Sequence, residues 1–168
     1  VPADLEGIKL RTPNGAWRVK MFQEYGANPT PMSFSEVFTA LQTKVIDGQE
    51  NPYTNIAGAK LNEVQKYLSV TGHVYTPSYL TAGKDQWAKL PEDVRMILED
   101  TARNVQGWMY ATGTMDEMAL REKLAESMEV NVADRAAFVE ASKPIYEEFA
   151  KEVATGKEMI DLALQLAE

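Results

Sequence analysis

Apolar and polar residues alternate over Ile8-Lys-Leu-Arg11 and then give way to Thr12-Pro13-Asn14-Gly15, which predicts a short strand and a loop, with Arg11 at the strand's C-terminal end. Val19, Phe22 and Gln23, flanked by Met21 and Tyr25, fall at helical spacing, and Gly26 suits the C′ position that ends this helix. The pattern then repeats. Asn28-Pro-Thr-Pro-Met32 reads as extended because residues before proline avoid the helical region, and Ser33 with Glu36 forms a capping box that starts a second helix near Phe34. Val37, Phe38, Leu41 and Val45 mark the core face of that helix, and Asp47-Gly48 ends it. Gln49-Glu50 is a short extended step, and Asn51-Pro52 opens a third helix.

Residues 67–82 are rich in β-branched and aromatic side chains and predict two strands broken near Pro77. From Pro91 the pattern changes. Glu92 and Asp93 place negative charge in a first helical turn, and apolar residues recur at Val94, Leu98, Val105, Trp108, Met109, Met115 and Ala119, so one helix is predicted to run to about Ser127. Some 36 residues extend roughly 54 Å, whereas a compact chain of this length has a radius of gyration near ~15 Å and spans only about 40 Å. Unless Gly107 and Gly113 kink it, such a helix overhangs its own globule and braces a second lobe outside this chain. Met128-Glu-Val-Asn-Val132 predicts another strand, Asp134 caps a helix carrying Phe138, and Lys143-Pro144 breaks it before Ile145, Phe149 and Val153. A last helix is predicted from Lys157 through Ala167. Strands alternating with helices argue for an α/β sheet.

The 168 residues carry 25 Asp and Glu against 17 Lys and Arg, and the formal charge of −8 opposes binding to nucleic acid or anionic lipid. No apolar run reaches the ~18 residues of a membrane helix, so no membrane insertion is expected. With no Cys and one His, the chain lacks a thiolate nucleophile, a disulfide framework and a zinc cluster, and neither metal nor cofactor is expected. The opening Val1-Pro-Ala-Asp-Leu-Glu-Gly7 has neither an initiator Met nor a signal-peptide layout, and reads as a chain beginning mid-protein.

In open α/β sheets ligands bind outside the carboxyl ends of the strands. The three strand-to-helix junctions present Arg11, Phe34 and Asn51, a cationic fork, an aromatic face and a neutral amide. A guanidinium pairs bidentately with a carboxylate, and an amide donates to a further oxygen, so the trio suits an organic acid without any proton transfer. Each also has a plainer role: Arg11 as a solvated strand end, Phe34 as core, Asn51 as an N-cap. Trp17 and Arg18 offer a stacking face and a second charge, or a surface pair; Tyr75 and Tyr79 lie at a strand break. His73 is the one side chain suited to act as a neutral-pH base, against a structural role beside Gly72 and Val74. Asp47 and Glu50 form a possible carboxylate pair, although the Asp47-Gly48 turn accounts for one member.

Three stretches carry a resemblance: Gly7-Ile-Lys-Leu-Arg11-Thr-Pro13; Gly26-Ala-Asn-Pro29-Thr-Pro-Met32-Ser-Phe34-Ser-Glu36-Val-Phe38; and Val45-Ile-Asp-Gly-Gln-Glu-Asn-Pro52. With Glu63-Val-Gln-Lys-Tyr67-Leu68, Thr71-Gly-His73 and Leu90-Pro91 continuing in order, the chain resembles the extracytoplasmic solute receptors of TRAP transporters, the DctP-like family. The resemblance implies a periplasmic-binding-protein-like α/β fold of two lobes that close on a small organic acid anion and deliver it to TRAP membrane permease subunits driven by an ion gradient. It implies a periplasmic location. It further implies that residues 1–75 and 117–150 form the second lobe, and that 76–116 and 151–168, with the long helix, return to or bridge toward an N-terminal lobe mostly missing from this chain. The family's carboxylate-clamping arginine maps to Arg11, its motif asparagine to Asn51 and its aromatic to Phe34; Trp17, Arg18 and Tyr75 complete the expected ligand-binding set. Two other readings share these residues: an enzyme acting on small carboxylates with His73 as base, and the ligand-binding domain of a sensory receptor.

Overall fold

The computed structural model describes residues 1–166. Strands β1 (Lys9–Thr12), β2 (Asn28–Pro31) and β3 (Gly48–Gln49) form a parallel sheet in the order β2-β1-β3, with Arg11 paired to Thr30 on one side and Gln49 on the other. Helix α1 (Ala16–Glu24) carries the first crossover, and α2 (Val37–Gln42), entered through a 3-10 turn at Phe34–Glu36, carries the second. Because all three strands run the same way, their carboxyl ends share one edge of the sheet, followed by α3 (Tyr53–Gly58). A second parallel pair joins β4 (Tyr67–Val70) to β5 (Glu129–Val132), with α4 (Lys84–Trp87) and the 34-residue α5 (Glu92–Ala125) between them in sequence. Helices α6 (Arg135–Ala141), α7 (Lys143–Glu152) and α8 (Gly156–Gln165) follow.

Local chemistry sets these boundaries. Gly26 takes the left-handed conformation (φ 88°), and the N–H groups of Gly26 and Ala27 close on the carbonyls of Gln23 and Phe22, a Schellman ending to α1. Ser33 N–H donates to Glu36 Oε2 at 3.1 Å, the expected capping box. The end of α2 departs from expectation. The helix ends at Gln42 rather than at Asp47-Gly48: Lys44 adopts φ 60° and Val45 N–H returns to the Ala40 carbonyl, so Val45 faces solvent and Ile46 takes the core position instead.

The stretch 67–82 is a second correction. It yields only β4, because residues 71–83 have no neighbouring strand to complete a ladder, and Tyr75, Tyr79 and Leu80 stay exposed. The final helix ends at Gln165 and the expected Ala167 lies outside the described residues.

Two apolar clusters hold the elements. Val37, Leu41, Ile46, Ile56, Leu61, Leu68, Leu124 and Met128 bring α2, α3 and β4 against the end of α5. Leu10, Phe22, Tyr25, Ala27 and Phe138 tie β1 and α1 to α6. There Tyr25 donates to Ser142 Oγ at 2.7 Å while Ser142 donates to the Phe138 carbonyl at 2.8 Å, so the buried hydroxyls are satisfied. Helix α5 continues through Gly107 and Gly113 and buries Leu124 alone; Leu98, Trp108 and Met115, at 45%, 64% and 70% exposure, lie outside both clusters. Among the described residues no helix is long and apolar enough to cross a membrane.

Candidate functional site

Arg11 ends the central strand β1, and its side chain is only 5% exposed. Nε and Nη2 both donate to the Met32 carbonyl, at 3.0 and 2.7 Å, which pins the side edge of the guanidinium to the chain leaving β2. A guanidinium has five N–H groups in a fixed plane, so this clamp leaves Nη1 and the second Nη2 hydrogen as a parallel pair on the end edge. The Phe34 ring lies 5.7 Å from the guanidinium carbon and shields one face. Burial pulls the Arg11 pKa below its usual value; the negative charge of Glu50 opposes that shift and the positive charge of Arg18 adds to it. The group remains a cation at any physiological pH.

These side chains border a crevice of about 350 Å³ lined by Arg11, Pro13, Arg18, Phe34, Glu50, Asn51, Pro52, Asn55 and Thr76, within the size range of small-molecule sites. Asn51 is no N-cap. Its Nδ2 donates to Gln49 Oε1 at 2.6 Å and its Oδ1 accepts from Asn55 Nδ2 at 3.0 Å, which fixes the amide plane at the crevice wall. The cap of α3 comes from α5: Glu117 accepts from Tyr53 N–H at 3.2 Å and Thr54 N–H at 3.1 Å, leaving Asn51 available for another partner.

Glu50, 11% exposed, was legible in the sequence only as a partner for Asp47, and the structure gives it other neighbours. Its Oε2 lies 2.7 Å from Arg18 Nη1 in an ion pair and 3.2 Å from His73 Nε2, whose other ring nitrogen is 2.6 Å from Thr71 Oγ1. The Phe22 ring meets the imidazole edge-on at 5.3 Å. His73 is thus tethered on both nitrogens behind the crevice. Asn55 was legible one helical turn after Asn51, whereas Thr76 reaches the wall from an irregular segment that no periodicity marks.

Trp17 and Tyr75 lie away from this wall. Trp17 packs edge-on against Phe149 at 5.0 Å, with Lys20 over its ring at 4.7 Å, because α7 covers that face of α1. Tyr75 is 77% exposed. A separate hollow between α5 and β5, lined by Met118, Arg121, Glu122, Ala125, Val130 and Val132, has no comparable convergence of buried polar groups. Among the described residues no cluster of His, Cys, Asp and Glu is arranged to hold a metal ion.

Residues 1–152 match the family model described as DctP, bacterial extracellular solute-binding protein, family 7. A solute-binding protein of Roseobacter denitrificans is 43% identical over 151 residues, covering 90% of this chain and 44% of the relative. The C4-dicarboxylate-binding periplasmic protein DctP of Vibrio cholerae is 35% identical over 168 residues, covering 98% and 50%. The solved structure of a TRAP periplasmic solute-binding protein from Xanthobacter autotrophicus with bound β-D-galacturonate superposes with a TM-score of 0.88 at 31% identity, covering 95% of this chain and 54% of the other. The chain spans about half the length of the curated relatives it matches.

Proposed function

This chain belongs to the DctP family of bacterial extracellular solute-binding proteins, and from that premise we propose that it is the carboxylate-gripping part of a periplasmic TRAP receptor that captures a small organic acid and hands it, unaltered, to membrane permease subunits. The observation that carries the reading is the Arg11 guanidinium, buried at a strand end, with one edge clamped on Met32 and its side chain lining the crevice. The free edge matches the two oxygens of a carboxylate. Phe34 and Asn51 flank it, the first offering a hydrophobic face and the second an amide hydrogen.

Residues 1–75 and 117–150 belong, in this reading, to the second lobe, and 76–116 and 151–168 bridge toward the first, whose closure would complete the enclosure of the acid. Binding rather than turnover is favoured by His73: both its nitrogens are engaged by Thr71 and Glu50, and it is not among the residues that line the crevice. Relatives that hold galacturonate and C4-dicarboxylates lend support to an acidic cargo.

The test is calorimetry on the complete two-lobe receptor with D-galacturonate and its uncharged counterpart D-galactose. Binding of the acid and loss of binding with the neutral sugar is expected. Equal affinity for the two would refute a grip through the carboxylate.

A further inference from the structure

Helix α3 has only six residues, too few to hold a helix unaided, so its placement depends on what it is fastened to. Its N-cap position is Pro52, which has no side-chain acceptor, and the Asn51 amide before it is engaged by Gln49 and Asn55. The N–H groups of Asn55 and Ile56 close on the Pro52 carbonyl, at 3.0 and 3.1 Å, which leaves those of Tyr53 and Thr54 without a partner in their own helix. Glu117, half-buried on α5 and more than sixty residues away, places one carboxylate oxygen on each: Oε2 accepts from Tyr53 at 3.2 Å and Oε1 from Thr54 at 3.1 Å. Ile56 shares an apolar cluster with Leu124 of α5, so a second point of contact holds the same two helices together.

The two capped amides lie between residues that line the crevice. Pro52 directly precedes Tyr53, Asn55 directly follows Thr54, and Asn51 is joined to Asn55 through their side chains at 3.0 Å. Glu117 itself is not among the lining residues. We infer that Glu117 is a positioning residue for solute capture: through these two amides it fixes where Asn51 and Asn55 stand in the crevice wall, and so how well that wall bonds an acid held on Arg11. The inference rests on the carboxylate grip proposed above. Hydrogen bonds to an ionised acceptor are shorter and stronger than neutral ones, and a pair of them from adjacent residues resists rotation of α3 about its axis. Asn51 has Oδ1 and one Nδ2 hydrogen already engaged, so the direction of its second hydrogen follows from theirs. A hydrogen bond weakens steeply as its angle falls, so a tilt of α3 reaches the ligand as a poorer bond.

The experiment uses the complete receptor and four acids, D-galacturonate, L-galactonate, succinate and malate, taking forward the one that wild type binds most tightly by calorimetry. Glu117→Ala is expected to weaken that acid about 3- to 10-fold, the effect of one well-placed neutral hydrogen bond, and Glu117→Gln, which keeps one acceptor, to weaken it less. In an Asn51→Ala background, followed by NMR titration where calorimetry loses sensitivity, the loss caused by Glu117→Ala should shrink to about twofold or less, because the group it acts through is gone. A role in stability alone would lower the melting temperature and leave the affinity of the folded protein unchanged. NMR of the unliganded receptor gives an independent reading: the side-chain amide signals of Asn51 and Asn55 should move in Glu117→Ala. They should stay in place in Glu122→Ala, which removes an exposed acid of the same helix.

An unchanged affinity in folded Glu117→Ala, an undiminished loss in the Asn51→Ala background, or stationary amide signals overturns the inference. If Glu117→Ala fails to fold, the same readings taken on Glu117→Gln decide it. Arg11→Lys reports on the grip separately. A wild type that binds none of the four acids, or an Arg11→Lys variant that binds as tightly as wild type, refutes the carboxylate reading and this inference with it, whereas the failures named first leave the grip standing.

Discussion

Replacing Arg11 by Lys keeps a positive charge at the end of β1 and changes only its shape. Arg11 spends Nε and one Nη2 hydrogen on the Met32 carbonyl and keeps a parallel pair for the crevice. An ammonium on the same carbonyl retains two hydrogens splayed tetrahedrally, so a carboxylate receives one well-aligned bond where the fork gives two. A hydrogen bond to a charged group contributes about 1.5–3 kcal/mol. At about 1.4 kcal/mol per factor of ten, Arg11→Lys is expected to weaken organic-acid binding about 10- to 150-fold. Arg11 is 5% exposed, so bulk water does little to soften the loss. Calorimetry on the complete receptor measures the dissociation constant, with a thermal melt to verify that the variant is folded. An affinity within about threefold of wild type in a folded variant refutes the fork as the gripping element.

Burial raises the Tyr25 phenol pKa above its usual value, so the stability this confers is present below about pH 10 and is lost as pH rises through the folded value. Tyr25→Phe should cost about 0.5–1.5 kcal/mol at pH 8 through the lost bond to Ser142 and should flatten the decline above about pH 10, as read by urea unfolding at both pH values. Gly156→Ala would place a Cβ 2.5 Å from the Phe149 carbonyl oxygen, a backbone atom, so a loss of about 1–3 kcal/mol is expected in the urea midpoint. Glu117→Ala strips the caps from Tyr53 and Thr54 N–H and should cost about 0.5–2 kcal/mol, with faster amide exchange at those two positions by NMR.

What the sequence made legible is what short-range chemistry decides. Gly26 ends α1 because a left-handed residue costs glycine little, and Ser33 with Glu36 starts the next turn through bonds three residues apart. Asp134 caps α6 in the same local way, accepting from Ala137 N–H. The order of three parallel junctions followed from the same signals. The misreadings arise where distant chain decides. Lys44 takes a conformation lysine seldom adopts, which swaps Ile46 for Val45 in the core. Residues beyond Val70 have strand-like composition but no strand beside them. Trp17 goes to Phe149, more than a hundred residues onward, and Glu117 takes the capping role expected of Asn51 from more than sixty residues away. Glu50 looked like half of an acidic pair with Asp47; its tie to Arg18 emerges only once α1 and β3 lie side by side.

The carboxylate of Glu117 has a mechanical implication. Asn55 rides on, and Asn51 leads into, a short helix whose leading amides are fastened to α5, a rod about 50 Å long. Any pull that a captured molecule exerts on Asn51 is therefore passed to a lever many times longer than the molecule itself, and a small rotation at the fastened end sweeps the far end through a wide arc.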